Sequence, residues 1–371
     1  MPLLYLQTNI QFFWVDHSKN SDFQDLLGHI SVSLNSFFSN YPGLRLLVKH
    51  RLHEAINIQA QNQHLGFPTR HIAESIHPVQ PQIIHIREIP VKSDINRTQL
   101  AYVSAIALLL EKSWSQPAAE IAQKLTESLV QTSKLSDFEA QFPPLQSVWK
   151  SFLFDANSTG WITLKLSDQG LAKWLEILIY FFQGFKNSSH QMNDWDENSQ
   201  IYLRDSTASL HPIRKITHNR DFFRNSTDVL LAQHAHARCC SLLRLGMQAG
   251  LIQLAAFPRG RSIVEPLPWL GENASLRFQH SSEHQLIRQI CQNLDEISLV
   301  NDFSEPERTL KQVSRLSQAF RRFYADCLIF NEVKVNNPAL AQVRLGLVDL
   351  VRSLLHLLLE DGLGIPAPPE L

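Results

Sequence analysis

Helix-spaced apolar residues run through the chain from Asp228 onward, and this pattern constrains the fold more than any other feature. One apolar stripe consists of Leu310, Val313, Leu316, Phe320, Phe323, Cys327 and Leu328. A last helix is predicted from about Ala341 to Glu360, with Gly362 as a left-handed C-cap and prolines beyond it that prevent continuation. Several helices with short connections predict an all-α bundle.

The first part of the chain mixes helical and strand patterns. Strands are predicted from short apolar runs, or from alternation, at Leu44–Val48, Ala55–Ile58, Ile83–Ile89 and Gly160–Leu166. Helices are predicted at Ser21–Ser39, Tyr102–Lys112 and Pro117–Val130. The predicted fold class is therefore an α+β domain followed by an all-α bundle, mostly α overall.

A polar, turn-rich stretch separates these two parts. It carries an Asn-Ser-Ser-His segment and an acidic, Asn-rich segment, so residues 185–222 are predicted to be a linker. The chain has 371 residues, enough for two domains. The predicted boundaries are residues 1–184 for the α+β domain and 223–371 for the helical domain.

Charge and composition indicate an ordinary globular protein with a locally basic region. The net charge is −1, yet the segment from Arg204 to Ser262 contains nine basic residues and only three acidic residues. The start of the chain lacks the pattern of a secretory signal, and the longest apolar run is too short to span a bilayer. We expect a cytoplasmic protein, without a membrane partner, whose four cysteines are buried and reduced.

Three segments of the rear part resemble the anticodon-binding domain of arginyl-tRNA synthetases, called the DALR domain. Gln233–Arg238 is similar to the Gln-Tyr-Ala-His-Ala-Arg helix that opens it, and Leu316–Cys327 to its Leu-Ala-x-x-Phe-x-x-Phe-Tyr segment. Val343–Val348 resembles Ala-Arg-Leu-x-Leu-Val, and Leu363–Leu371 resembles the Leu-Gly-Ile-x-x-Pro-Glu-x-Met that ends these enzymes. The resemblance implies a DALR-like helical bundle over residues 223–371.

The front part resembles the additional domain that precedes the catalytic domain of the same synthetases. The resemblance lies in Ala101–Leu110, Gln116–Leu125 and Gly160–Ser167. Three positions depart from the family: Leu100-Ala101 replaces Gly-Asp, and Ile106 replaces an Asn. In the family this domain contacts the D-loop side of the tRNA, so the resemblance implies a second, shape-based RNA contact.

The catalytic domain of these enzymes has no counterpart in the sequence. Only 65 residues separate Ser167 from Gln233, far fewer than a nucleotide-binding parallel sheet needs. A His-x-Gly-His signature is missing, the nearest string being His64–Phe67, and so is a Lys-Met-Ser-Lys-Ser loop. We expect a protein without amino-acid activation, catalytic residues or a cofactor.

The predicted RNA-binding residues lie on two helices of the rear part. Candidates for stacking on a base or contacting RNA are His234, Arg238 and Arg244, and candidates for phosphate contacts are Arg308, Lys311, Arg315 and Arg322. Each has a structural alternative: a packing or helix-bridging role for the first group and a merely solvated face for the second. Phe323 and Tyr324 are interpreted as core residues rather than stacking platforms. His234 and His236 are two apart on a helix and cannot share a metal, so no metal site is predicted.

The leading hypothesis is a catalytically inactive, arginyl-tRNA-synthetase-like protein that binds tRNA or a structured RNA. A rival hypothesis is a protein-interaction scaffold that kept the fold without the RNA, which the neutral charge and the His in place of Tyr favour. A third is a subunit associated with arginine–tRNA ligase activity that requires a separate catalytic chain. Fold homology does not decide among the three.

Overall fold

The structure, a computed structural model, describes residues 43–65, 88–94, 99–132, 147–184, 226–257, 260–300, 303 and 305–371. The predicted helix Ser21–Ser39, most of the predicted strand Ile83–Ile89 and the predicted linker 185–222 lie outside these ranges. The described residues are mostly helical, with a small antiparallel sheet in the front part and a helical bundle in the rear part. The predicted fold class is confirmed.

The front part contains four helices and four strands among the described residues. In chain order they are α1 (Leu44–Leu65), β1 (Val91–Ser93), β2 (Ala101–Ser104), α2 (Ile106–Trp114), α3 (Ala118–Thr132), β3 (Phe152–Ala156), β4 (Ile162–Leu166) and α4 (Asp168–Gly184). The strands form one antiparallel sheet in the order β1-β2-β4-β3. The predicted strand near Gly160–Leu166 is confirmed as β4, which lies inside the sheet.

Two strands predicted in the first apolar runs are wrong, because Leu44–Val48 and Ala55–Ile58 both belong to helix α1. The buried apolar residues of this helix are Leu44, Leu47, Val48, Leu52, Ala55 and Ile56. Their spacings of three and four are those of one helical face. The helical period continues across both apolar runs, and each run by itself is too short to show it.

The predicted helix Tyr102–Lys112 is wrong in its first turn. Residues 101–104 form strand β2, and the helix begins only at Ile106. Strand β2 has two antiparallel partners, with Tyr102 opposite Ser93 of β1 and Leu164 of β4. These ladder hydrogen bonds join segments distant in sequence, which outweighs the weak local preference of the segment.

The rear part is built around a central buried helix. Its elements are α5 (Thr227–Gln248), β5 (Leu254–Phe257), β6 (Gly260–Ile263), α6 (Ser281–Val300), α7 (Pro306–Asp326), α8 (Glu332–Asn336) and α9 (Pro338–His356). Every residue from Val343 to Leu355 of α9 is buried, and α9 packs against α5, α6 and α7. Its buried charges are paired: Arg344 Nε lies 2.7 Å from Glu283 Oε1, and Arg352 Nη2 lies 2.9 Å from Asp349 Oδ1.

Two details of the rear part differ from the sequence prediction. The segment between α5 and α6 includes the hairpin β5–β6, so the helical pattern is interrupted there. The last helix passes into a π-helical turn at Leu357–Gly362, and the left-handed residue is Gly364, with φ 66°. The predicted left-handed C-cap at Gly362 is wrong, because Gly362 still belongs to the π-helical turn. Close packing explains this glycine, since a Cβ there would lie 2.7 Å from Thr309 Cγ2.

A buried polar junction joins α1 of the front part to α6 of the rear part. Asp295 of α6 accepts hydrogen bonds from the backbone N–H of Arg45 (2.7 Å) and from the hydroxyl of Tyr102 (2.8 Å). The Arg45 N–H belongs to the first turn of α1, where N–H groups lack helical partners and favour a negative charge. Asp295 therefore caps a helix from a different part of the chain.

Helix α4 makes a second set of contacts with the rear part. Asp168 accepts from the backbone N–H of Leu276 at 3.0 Å, and Glu176 accepts from the indole N–H of Trp269 at 2.6 Å. Burial raises the pKa of Glu176. The buried apolar side chains of the front and rear parts form one continuous core.

Candidate nucleic-acid interface

Helix α5 separates an exposed polar face from a buried one. His234 and Arg238, four residues apart, are exposed, whereas His236 is 3% exposed. His236 Nδ1 donates a hydrogen bond to the carbonyl oxygen of Pro368 at 2.9 Å. Burial lowers the pKa of His236 to about 4, so its ring is neutral near pH 7. His236 is therefore a buried packing residue whose ring is held by this hydrogen bond.

Arg238 and Tyr324 form a pair that we call the stacking platform. The Arg238 guanidinium lies over the Tyr324 ring, 4.7 Å from its centroid, and also donates a hydrogen bond to the Tyr324 hydroxyl. Tyr324 is 38% exposed, whereas Phe323 is fully buried. The core interpretation is therefore correct for Phe323 and wrong for Tyr324. Cation–π contacts of this kind contribute about 0.5–1 kcal/mol at exposed sites, which favours this arrangement of the two side chains.

Helices α5 and α7 lie side by side and run in the same direction. Ser314 of α7 donates a hydrogen bond to Asp228 near the start of α5, at 2.9 Å, and the stacking platform joins both helices ten residues later. His234 lies one turn before Arg238 on the exposed face of α5. The structure therefore brings two predicted RNA-binding residues, His234 and Arg238, next to one that the sequence assigned to the core.

The four bases of α7 form a second surface, which we call the basic ridge: Arg308, Lys311, Arg315 and Arg322. With 3.6 residues per turn they fall within a sector of about 60°, and Arg308 and Arg322 are about 21 Å apart along the axis. Lys311, Arg315 and Arg322 are exposed, and the Arg308 side chain is 39% exposed. Tyr324 points about 160° away from Arg308 around the helix, so the ridge and the platform face different directions.

An acid of the neighbouring helix lies against the basic ridge. Glu296 Oε2 is 4.0 Å from Arg308 Nε, and Glu296 Oε1 is 3.8 Å from Arg315 Nη1. Glu296 Oε2 also accepts a hydrogen bond of 3.0 Å from the amide of Gln312, which is buried. The ridge therefore borders α6, whereas the stacking platform borders α5.

Arg244 belongs to neither surface. It lies ten residues after His234 on α5, about 15 Å along the helix axis. Arg244 Nη1 is 2.9 Å from Glu370 Oε1, and Arg244 Nη2 donates to Ser241 Oγ at 3.2 Å. Because Glu370 is 75% exposed, this is a surface ion pair of about 0–1 kcal/mol, and it competes with any phosphate for Arg244.

Sequence reasoning missed Tyr324 and Glu296 as members of these surfaces. The exposure of Tyr324 and its contact with Arg238 depend on how α5 packs against α7, which the sequence pattern of α7 alone does not reveal. Nothing in the sequence marks Glu296, which meets the ridge by tertiary packing alone. Of the nine basic residues between Arg204 and Ser262, only Arg238, Arg244 and Arg261 lie among the described residues.

The cysteines of the rear part are free thiols. Cys239, Cys291 and Cys327 are buried as predicted, and Cys240 is half-buried. Burial raises the pKa of each of the four thiols. Within the described ranges, no group of three His, Cys, Asp or Glu side chains is arranged to hold a metal ion. No helix in that part of the chain combines the length and apolarity that crossing a membrane requires.

Comparison with known proteins identifies the rear part. Residues 232–371 match the family model of the DALR anticodon binding domain, which confirms the resemblance predicted from sequence. Arginine–tRNA ligase of Heliobacterium modesticaldum is 31% identical over 147 residues, 38% of this chain and 23% of the ligase. The ligase of Moorella thermoacetica is 28% identical over 196 residues, 52% of this chain and 27% of the ligase. A Synechococcus ligase is 27% identical over 143 residues, 38% of this chain and 22% of the ligase.

These matches cover a limited part of each protein. The chain spans about a quarter of the length of the curated relatives it matches. No solved structure matches the chain. The similarity to the DALR anticodon binding domain therefore covers the residues of the stacking platform and the basic ridge.

Proposed function

We propose that this chain, whose residues 232–371 form a DALR anticodon-binding domain, binds tRNA or another structured RNA through that domain. The observation that carries the proposal is the stacking platform, in which Arg238 holds an exposed Tyr324 ring beside His234. The relatives are named for attaching arginine to tRNA, so arginine tRNA is the first RNA to test.

The platform suits an unstacked base of an RNA loop. Single-stranded bases stack on aromatic rings and on the flat face of an Arg guanidinium. Arg238 covers the Tyr324 ring, and Phe320 stacks against the same ring, so the exposed guanidinium of Arg238 is the flat surface that a base would meet first. Since Arg238 contacts both the ring and the hydroxyl of Tyr324, neither side chain has to be ordered anew when a base arrives. The exposed imidazole of His234 supplies a third flat group one turn away.

The basic ridge suits the phosphates of the adjoining stem. Its four basic residues extend about 21 Å along α7, far enough to reach several successive phosphates of an RNA stem. Arg and Lys at this spacing need no register with particular bases, because phosphate contacts position an RNA without reading its sequence. Platform and ridge thus offer two separate contact surfaces on α7, one for an unstacked base and one for backbone phosphates.

We further propose that this chain does not activate an amino acid by itself. Its sequence lacks the His-x-Gly-His and Lys-Met-Ser-Lys-Ser signatures, and the relatives align over only about a quarter of their length. ATP–pyrophosphate exchange by the purified chain, with arginine and tRNA present, is expected to equal that of a blank. Exchange that depends on arginine would contradict this part of the proposal.

The function is tested by titrating labelled arginine tRNA with the purified chain at about 50 mM and 200 mM salt. We expect binding at low salt that weakens steeply at the higher concentration, because phosphate contacts release counterions. Tyr324→Ala should lower the affinity about 5- to 100-fold, since stacking contributes about 1–3 kcal/mol per base. Tyr324→Phe keeps the ring and should retain most of the affinity.

Two outcomes contradict the proposal. Absence of binding above background at low salt removes RNA binding altogether and leaves the protein-scaffold hypothesis. Equal affinities of the wild type and Tyr324→Ala would show that the platform is not the site. Leu328→Ala is a matched control, because Leu328 is 58% exposed yet belongs to neither surface.

A further inference from the structure

Glu296 is held against the basic ridge by a buried neighbour. Its carboxylate accepts a 3.0 Å hydrogen bond from Gln312, which is 3% exposed and whose own carbonyl lies 3.5 Å from the Asn293 amide. The side chain of Glu296 is 25% exposed. This acid therefore stays beside the bases of α7 instead of turning into solvent.

Each carboxylate oxygen of Glu296 faces a different base, Arg308 at 4.0 Å and Arg315 at 3.8 Å. Both separations exceed the 2.7–2.9 Å of a charge-assisted hydrogen bond, so the attraction is mainly Coulombic. Partly exposed pairs of this kind are weak, so the phosphates of an RNA can displace them.

We propose that Glu296 is a built-in counterion that makes the basic ridge selective for a polyanionic backbone. It partly neutralises Arg308 and Arg315 in the free protein and repels an incoming anion. A single phosphate gains little against this repulsion, whereas an RNA stem that also contacts Lys311 and Arg322 overcomes it. This inference rests on the proposed RNA-binding function and adds a residue on α6 that sets its affinity and its preference for consecutive phosphates.

The test compares Glu296→Gln with the wild type in RNA titrations over a range of salt concentrations. Glutamine keeps an oxygen that accepts from Gln312 but removes the charge. We expect Glu296→Gln to bind RNA about 3- to 10-fold more tightly at low salt, with a salt dependence steeper by about one counterion. Free inorganic phosphate should also bind weakly to Glu296→Gln. This binding would be detected by the ability of phosphate to compete with RNA.

Two further variants separate this effect from net charge. Glu272→Gln removes an exposed acid outside α6 and α7 and should leave the affinity within about twofold of the wild type, because exposed charges are largely screened. In a protein that also carries Arg308→Gln and Arg315→Gln, the gain from Glu296→Gln should become clearly smaller, because the two arginines that Glu296 neutralises are then absent and only its repulsion of the phosphates remains.

The outcomes distinguish the two claims. If the wild type binds RNA and Glu296→Gln behaves like Glu272→Gln, the counterion role is overturned and the proposed function stands. If Glu296→Gln gains as much without Arg308 and Arg315 as with them, the ridge is not its target and the role is likewise overturned. If the wild type binds no RNA at low salt, the proposed function fails, and the counterion role fails with it.

Discussion

Replacing all four bases of the basic ridge with glutamine is expected to weaken RNA binding by about 100-fold or more at low salt. Each phosphate contact contributes a counterion-release slope of about 0.7–0.9, so four lost contacts should make the salt dependence shallower by about three units. The substitutions are Arg308→Gln, Lys311→Gln, Arg315→Gln and Arg322→Gln. The measurement is the logarithm of the binding constant against the logarithm of salt concentration.

The matched control removes four positive charges elsewhere. Lys112, Lys150, Lys173 and Lys334 are all exposed and none belongs to α7. Their replacement by glutamine should cost much less affinity and leave most of the salt dependence intact. An equal loss in both variants would show that overall charge, and not the ridge, governs binding.

The unfolding free energy is expected to carry a pH dependence that comes from Asp295. Burial raises the pKa of this carboxyl from 3.8 to about 6, against the opposing influence of Arg45 and Tyr102. Below about pH 3 the group is protonated in both states. As the pH rises to about 6, the unfolded chain ionises it more readily than the folded protein does, so stability is lost. The full loss amounts to about 3 kcal/mol, since one pKa unit corresponds to about 1.4 kcal/mol.

The substitution Asp295→Asn should remove this contribution while keeping an amide that can pair with Arg45 N–H and the Tyr102 hydroxyl. In urea unfolding between about pH 4 and pH 8, the difference between the wild type and Asp295→Asn should shift by about 2 kcal/mol, in favour of Asp295→Asn at high pH. Asp155→Asn, at an exposed position, is the control. Parallel pH profiles of the wild type and Asp295→Asn would contradict the prediction.

Local sequence patterns predicted the long amphipathic helices well because each carries its own evidence. Helix α7 repeats an apolar face over 21 residues, so both its core side and its basic ridge were predicted. Helix α1 has the same kind of period, but dividing it into two short runs produced strands. Strand β2 was misassigned for a different reason, because its conformation depends on partners far along the chain.

The candidate site was predictable to the level of helices and not of contacts. His234, Arg238 and the basic ridge followed from motif resemblance and charge spacing. Tyr324 and Glu296 did not, because each owes its position to a neighbouring helix, Tyr324 to Arg238 of α5 and Glu296 to α7. The pairing of Arg244 with Glu370 likewise depends on how the last residues lie along α5.

Asp295 and Glu296 are consecutive residues of α6, and their carboxylates point in different directions. Asp295 meets α1 and Tyr102, whereas Glu296 meets the bases of α7. Helix α6 thus carries both the carboxylate that joins the front and rear parts and the carboxylate that lies against the basic ridge. An RNA bound at the basic ridge would contact a helix that is already packed in place, so little conformational entropy of the protein would be lost on binding.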